Sequence, residues 1–462
     1  MTLVSRIVFN RIMFNRILCK TSFSSFVICS GIFITSNVLA EKVVWPDVLT
    51  LDYALQHAPT DYPQLQLAQA DIEMANADKL SVDTSTGLES RISARLSWID
   101  PPAIAPDQSH ADHSLSLFLD KRLYDFGYTS ALESAAEAGV VSKQYAYRNA
   151  LNQHRIAIMA AFFDVLLADI ASERDQEQMA VDYVRSDRAA DRNKLGMVSD
   201  IDLMKLRSIY QQSRARFHAS SALQRTARAK LANILNTPEN LPSDLATPDL
   251  KANNREIPKD IDEWLASIKK ENPLLHALSA KVESAQKRLA SARDITNPVL
   301  SGQVEVSKYA REMGGYDNWR AGVTLDIPLR TSGKAKAVVA KSRAELIQAK
   351  AELEQARLNL RQSLVDEWSK LNTLKIERDR VAALSDYRDL YLDRSRALYQ
   401  QEVTADLGDA MARTSDARFQ KMKTEFDLAL TWARIEALLG QTVYPGATPD
   451  NTNSPSSQEG SP

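Results

Sequence analysis

The sequence predicts a mixed fold, in which very long α-helices join short membrane-type β-strands and the whole is laid out as two related halves. The segment Leu119-Asp120-Lys121-Arg122-Leu123-Tyr124-Asp125-Phe126-Gly127 returns 206 positions later as Leu325-Asp326-Ile327-Pro328-Leu329-Arg330-Thr331-Ser332-Gly333. Each copy closes a stretch of period-two alternation and opens a run of about 65 residues without proline. In 462 residues there are only 14 glycines and 17 prolines, so uninterrupted elements must be long. An internal repeat sets the architecture before any local pattern is read. The repeating unit is strand, breaker, very long helix.

Four segments alternate apolar and polar residues. Leu88, Ile92, Ala94, Leu96 and Trp98 oppose Glu89, Arg91, Ser93 and Arg95, and Leu115, Leu117 and Leu119 oppose Ser114, Ser116 and Phe118. In the second half Leu300, Val304 and Val306 oppose Gln303, Glu305 and Ser307; Trp319, Ala321, Val323, Leu325 and Ile327 oppose Arg320, Thr324 and Asp326. In a soluble sandwich such a greasy face needs a second sheet, and four strands between long helices have none to meet. In a membrane barrel the greasy face meets lipid and the polar face lines water, with strands of about 9 to 11 residues spanning the bilayer. Trp98, Tyr309, Tyr316 and Trp319 near the strand ends suit an aromatic girdle. Four strands cannot close a barrel, since roughly eight are needed even for a filled interior. The barrel must be shared between subunits.

The loops between paired strands, residues 99–112 and 310–317, carry turn chemistry in Pro101-Pro102, Pro106-Asp107 and Gly314-Gly315. His110 and His113 beside Asp107 and Asp112 are a thin basis for a metal site, because two loop histidines with no further fixed ligand are more often solvated. No metal and no cofactor is expected.

In the second long helix Leu346, Leu353 and Leu360 recur every seven residues, and so do Ala344, Ala351, Leu358 and Val365. Positions two apart lie about 200° around a helix, so these are separate seams and the helix has two neighbours. A closed ring of helices satisfies that; a simple two-stranded coiled coil needs one seam. The first copy has Ala131, Ala135, Ala138, Val141 and Tyr145, then Ile156, Met159, Phe163 and Leu166. From Tyr128 to Leu195 the helix would run about 100 Å at ~1.5 Å per residue. The break at Leu195-Gly196-Met197-Val198-Ser199-Asp200 offers a left-handed glycine and two helix-capping residues. The second break spans Gln400-Gln401 to Asp409, with the repeat offset reduced from 206 to 204.

The first forty residues hold Arg6, Arg11, Arg16 and Lys20 without an acid, then an apolar run ending Val38-Leu39-Ala40. This predicts a secretory signal peptide over residues 1–40, the alternative being a membrane anchor for which the run is short. The repeated Arg-Ile-x-x-Asn ahead of it suggests that translation starts at Met13 rather than Met1. Both cysteines, Cys19 and Cys29, fall in that leader, which excludes disulfides and thiol chemistry in the rest. Removing four positive charges leaves 53 basic against 59 acidic residues, a balance that does not favour nucleic acid.

The expected organisation follows in order. A first repeat over 41–236 has a helix, strands at 88–98 and 113–123, a long helix at 128–195 and a returning helix at 202–235. An equatorial linker covers 237–258. A second repeat over 259–440 has a helix, strands at 299–308 and 318–329, a long helix at 334–399 and a returning helix at 406–439. A disordered tail takes up 441–462. The helices ahead of the strands, near Thr50 to Lys79 and Asp260 to Asp294, would stack end to end with the returning helices beside each long one.

With its two-fold repeat, its strand-end patterns, the Gly196 to Asp202 break and Asp406-Leu407-Gly408-Asp409-Ala410, the chain resembles the TolC-type outer membrane efflux proteins over essentially its whole mature length. The resemblance implies a homotrimer whose twelve strands form an outer-membrane β-barrel, continued by a periplasmic α-helical barrel in the outer membrane and periplasm of a Gram-negative bacterium. It implies as partners a periplasmic adaptor and an inner-membrane transporter, with small-molecule efflux as the process and type I protein secretion as the alternative. It implies further that Asp406 and Asp409 ring a pore constriction. Their i, i+3 spacing puts them on one helix face, and acids at a helix N-terminus are equally favoured by the helix dipole. Leu195, Gly196 and Met197 match an adaptor-docking tip. The equivalent Gln400 and Gln401 depart from the pattern, which usually has glycine there. Gly127, Pro328 and Gly333 mark the strand-to-helix junctions.

Six scattered histidines, with no nucleophile elbow, phosphate loop or helical metal pair, point away from an enzyme. The competing class is a periplasmic coiled-coil scaffold without a pore, which would have no use for the alternating strands.

Overall fold

A computed structural model describes residues 45–57, 61–238, 244–258, 260–311, 317–401 and 406–443. The leader, the Gly314-Gly315 turn, Tyr316 and the tail beyond Val443 lie outside them. The chain runs β1 (Val48–Leu49), α1 (Leu51–Gln56), α2 (Pro63–Asp83), β2 (Leu88–Arg95), β3 (Ser114–Tyr124), α3 (Tyr128–Lys194), α4 (Asp200–Ile234) and β4 (Asp244–Leu245). It continues through α5 (Asp262–Glu271), α6 (Pro273–Asp294), β5 (Val299–Tyr309), β6 (Trp319–Asp326), α7 (Lys334–Gln400) and α8 (Leu407–Leu438).

The two long helices, α3 and α7, are each 67 residues, about 100 Å of helix. Both begin immediately after a left-handed glycine, Gly127 at φ 100° and Gly333 at φ 86°, each preceded by a second left-handed residue, Phe126 at 54° and Ser332 at 50°. That double reversal turns the strand direction into the helix axis. Only glycine reaches such φ values without a steric penalty, which is why the repeated motif ends on it.

Several bounds differ from expectation. Strand β2 stops at Arg95, although the hairpin is extended by the isolated bridge between Trp98 and Ala111. Strand β6 stops at Asp326, ahead of Pro328, which has no N–H to donate to a ladder. The helices before the strands are each broken. Asn272 is extended, with φ −66° and ψ 122°, because the residue before Pro273 is driven out of the helical region. Its side chain then caps α6, accepting from the N–H groups of Leu274 and Leu275. Pro63 likewise opens α2. The linker is not wholly irregular: β4 pairs in parallel with β1, Val48 opposite Asp244 and Leu49 opposite Leu245.

α3 packs on α2, α4, α6 and α8, whereas α7 packs on α6 and α8. Nearer the sheet the side-by-side order is therefore α2, α3, α6, α7, and nearer the breaks it is α4, α3, α8, α7. At mid-height α7 also meets α5 and, through Trp368, the Pro258 carbonyl of the linker; near the sheet and near the breaks no described helix lies beyond the edge helices. Of the two α7 seams, Leu353 is buried and Leu346 and Leu360 half-buried, while in the other Ala344, Ala351 and Leu358 stay exposed and Val365 is half-buried. One seam is satisfied within the chain, and the other is open.

The core lies where the short helices meet beside the middle of the long ones. Phe162, Phe163, Val165 and Ile158 of α3 pack with Leu51 and Leu55 of α1, Leu231 and Leu235 at the end of α4, and Phe426 of α8. Phe163 and Phe426 stack at 4.5 Å with an interplanar angle of 4°, joining the halves. A second cluster holds Leu353, Leu364 and Leu371 of α7 against Leu275, Leu428 and Ile435. His154, at 3 % exposure, stacks on Tyr62 at 4.2 Å, and burial pushes its pKa down to about 4. The unfolded chain takes up a proton near pH 6.5 that the folded chain refuses until about pH 4. Stability is thus retained above pH 6.5 and lost as the pH falls toward 4, at roughly 1.4 kcal/mol per pH unit. A His154→Phe variant is expected to show a flatter fall of Tm between pH 6.5 and 4 by circular dichroism; an unchanged slope would refute the assignment.

Candidate functional site

Asp406 and Asp409 sit at the start of α8. Asp406 is its N-cap, its Oδ1 accepting the Asp409 N–H at 3.0 Å. The same carboxylate accepts a charged hydrogen bond from Arg185 of α3, whose guanidinium also lies 3.6 Å from Asp409 and 3.7 Å from the buried Asp182. Arg413, one turn along α8, donates to Asp409 at 2.6 Å. The acids therefore do share a face, and they share it with two arginines that sequence spacing did not bring forward.

Partial burial would raise the Asp406 pKa, but the Asp409 N–H and the Arg185 guanidinium outweigh it and hold the carboxyl below its ordinary range. Burial works against the Arg185 charge too, and the facing carboxylates raise its pKa overall. The residue between the acids sets how near the helices come. A Cβ on Gly408 would stand 3.0 Å from Val181 Cγ2 and 3.3 Å from Cγ1, so this glycine lets the first turn of α8 lie against α3.

Above this contact a second tier crosses the helices. Ser415 donates to Glu177. Arg174 of α3 reaches Asp416 at 3.4 Å and lies over the Phe419 ring at 4.6 Å. Asp416 accepts from Gln420 at 2.7 Å, and Arg380 of α7 donates to Gln420 at 3.1 Å. Polar bonds thus run from α3 through α8 to α7.

At the α3–α4 break Gly196 adopts φ 72°, and the N–H of Met197 returns to the Arg192 carbonyl at 2.9 Å, closing the helix in the usual glycine-ended way. Ser199 caps α4 by accepting the Asp202 N–H at 3.1 Å. Leu195 and Met197 are left 74 % and 64 % exposed. The other break has no left-handed glycine: Gln400 ends α7, and the Gln401 N–H bonds back to Ala397 and Leu398. Residues 402–405 lie outside the described residues.

At the opposite end of the long helices β2, β3, β5 and β6 form one antiparallel sheet in that order. Register places Ile92, Leu117 and Val306 side by side, with Trp319 completing the row. On the other face Arg91, Phe118, Glu305 and Arg320 share a row. The alternation is therefore continuous across four strands, and the apolar face is open: Ile92 is 72 % exposed, Trp319 70 % and Val323 66 %. Gly127 and Gly333 join this sheet to α3 and α7, and Pro328 lies in the connection. Among the described residues no group of three or more His, Cys, Asp or Glu is placed to hold a metal. No described helix is long and apolar enough to cross a membrane.

Residues 264–441 match the family model of the outer membrane efflux proteins. Protein CyaE of Bordetella pertussis is 23 % identical over 291 residues, a match covering 60 % of this chain and 59 % of that protein. The fold is similar to that of a membrane protein from Pseudomonas aeruginosa, with TM-score 0.69, 17 % identity, and coverage of 87 % of this chain and 92 % of that one. It is likewise similar to the CmeC outer membrane channel of Campylobacter jejuni, with TM-score 0.69, 15 % identity, and 84 % and 85 % of the two chains. VceC of Vibrio cholerae gives TM-score 0.66, 14 % identity, and 85 % and 96 %.

Proposed function

We propose that this chain is a member of the outer membrane efflux protein family and the passive outer-membrane conduit of a tripartite export system. Three copies contribute twelve strands to one barrel, and their helices continue it through the periplasm. One observation carries the reading: a sheet with a continuous, exposed apolar face and a polar face is joined directly to helices about 100 Å long. Such a sheet is soluble only in lipid, and such helices reach far beyond it. The repetition of helix, two strands, long helix and returning helix is read as a duplication. Small molecules are delivered by an inner-membrane transporter through a periplasmic adaptor, which docks on Leu195, Gly196 and Met197, with Gln400 and Gln401 forming an unlike second tip.

In this reading Asp406 and Asp409 of three copies form the narrow acidic entrance, and Arg185 is the latch that ties each pair to α3. Planar-bilayer conductance of residues 41–462, beside Asp406→Ala/Asp409→Ala, tests it. Discrete cation-selective openings are expected, with selectivity lowered in the double variant. Protein that folds but never inserts would return the scaffold reading. Because the Asp406 pKa is depressed, the latch is fully present above about pH 4 and is lost only as the pH falls through the lower folded value. Conductance is therefore expected to be flat from pH 8 to 5 and to rise below about 4; a rise already at pH 6 would exclude Asp406 as the titrating group.

A further inference from the structure

We infer that α4 and the lower half of α7 are the two sides of an electrostatic seam between copies of this chain. The inference rests on the multimeric conduit proposed above and assigns which residues hold neighbouring copies in register near the periplasmic breaks.

Helix α4 has an unusual charge pattern. From Leu203 to Ile234 it carries seven lysines and arginines and no acidic residue. Two of these face inward: Arg228 bonds Asp169 and Lys230 bonds Asp164, both on α3. Arg207, Arg214, Arg216 and Arg225 are exposed and make no ion pair among the described residues. The matching helix of the second half, α8, has no such bias, with Asp409, Asp416, Glu425 and Glu436 among its basic residues.

The complementary row lies on the other edge. On α7, Asp379, Asp386 and Asp393 recur every seven residues, all exposed, with Asp389 beside them. Asp379, Asp386 and Asp389 make no ion pair among the described residues, and Asp393 has only a 3.6 Å contact with Arg396. The row is not purely acidic, since Arg388 and Arg394 lie on the same helix, but Arg388 is drawn over the Tyr387 ring at 5.0 Å. Exposed apolar residues accompany both rows: Ile201, Met204 and Leu223 on α4, and Ile376, Tyr387 and Leu390 on α7. Neither surface looks like one that ends at water.

The packing order says what covers them. Near the breaks the helices lie α4, α3, α8, α7, so α4 and α7 are the free edges of one row. A row that closes by rotation must set the α4 of one copy against the α7 of the next, a heterologous contact. The heights agree. α3 and α7 are equally long and both start at the sheet, so their far ends are level. Arg207 and Arg214 stand seven and fourteen residues from the start of α4 at Asp200. Asp393 and Asp386 stand seven and fourteen residues before the end of α7 at Gln400. The helices run antiparallel there, which brings Arg207 level with Asp393 and Arg214 level with Asp386.

A charge-exchange series in detergent and in lipid nanodiscs tests the seam, with native mass as the readout. Arg207→Glu/Arg214→Glu is expected to reduce the assembled fraction at least tenfold, and so is Asp386→Arg/Asp393→Arg. Combining the four substitutions should restore most of it. No cysteine follows Cys29 in the sequence, which permits a direct check. Arg214→Cys with Asp386→Cys should crosslink copies under oxidation. Arg225→Cys with Asp393→Cys should not, their heights differing by about 27 Å. Reversal variants that fold, judged by helical circular dichroism, and assemble like wild type would overturn the seam while leaving the conduit standing. So would a four-fold variant no better assembled than its parents, as expected if α4 instead meets an acidic partner protein. A wild-type chain that is monomeric in nanodiscs yet conducts nothing would overturn the conduit and the seam together.

Discussion

Replacing Arg185 by glutamate is expected to open the proposed conduit. The substitution puts a fourth acid among Asp182, Asp406 and Asp409, where the arginine now bonds one and faces the other two. The side chains are about a third to a half exposed on the Arg185–Asp406 contact, so solvent screening limits the attraction to about 1 kcal/mol per copy. In the proposed trimer, three copies acting on one entrance would sum to about 3 kcal/mol, roughly a hundredfold in the ratio of open to closed. Removal of the charge alone, in Arg185→Ala, should give a smaller gain, because it loses the attraction without setting a fourth carboxylate against Asp182, Asp406 and Asp409. Single-channel open probability is the direct readout. A charge exchange, Arg185→Asp with Asp406→Arg, should return the entrance toward its resting behaviour, though the lost cap leaves it short of wild type. Equal open probability in wild type and Arg185→Glu would remove the latch while leaving the acidic entrance to be judged by selectivity.

The latch also marks where sequence reading runs out. Asp406 and Asp409 came forward through the resemblance of their segment to the family's pattern, and their local i, i+3 spacing agrees with a shared helix face. Arg185 is 221 residues away from Asp406, and nothing in its surroundings distinguishes it from Arg188 or Arg192. Gly408 was within reach, since a glycine between two helix-starting acids is poor helix chemistry that needs a packing reason, here the approach to Val181. The glycine-ended junctions were legible for the opposite reason. A double left-handed turn at Phe126-Gly127 and Ser332-Gly333 leaves few residue choices, so the same backbone demand is written twice. The two seams of α7 could be counted in the sequence, but which one its own chain would fill could not. That depends on α6, whose break from α5 follows from Pro273. The short β1–β4 pair, two residues on each strand, carries no periodic signal at all.

A second contrast tests the sheet by one residue of displacement. Ile92 and Ser93 are neighbours in β2, and their partners in β3 are Leu117 and Ser116. Ile92 lies on the apolar face, and Ser93 lies on the face of Arg91 and Arg95. If the apolar face meets lipid, Ile92→Arg places a guanidinium in hydrocarbon, at about 2–4 kcal/mol for a site near the midplane. Three copies in one barrel bring the total to roughly 6–12 kcal/mol, comparable with the whole stability of a domain. Ile92→Arg is therefore expected to abolish heat-resistant assembly in the outer-membrane fraction. Ser93→Arg adds the same charge to a wet wall and should assemble normally, with only conductance and selectivity altered. A coiled-coil scaffold whose sheet stands free in water predicts no such asymmetry, because each face of an isolated four-stranded sheet in water would accept an arginine. Equal assembly of both variants would exclude a lipid-facing surface. Loss of Ser93→Arg with survival of Ile92→Arg would mean that the polar face, not the apolar one, is turned outward.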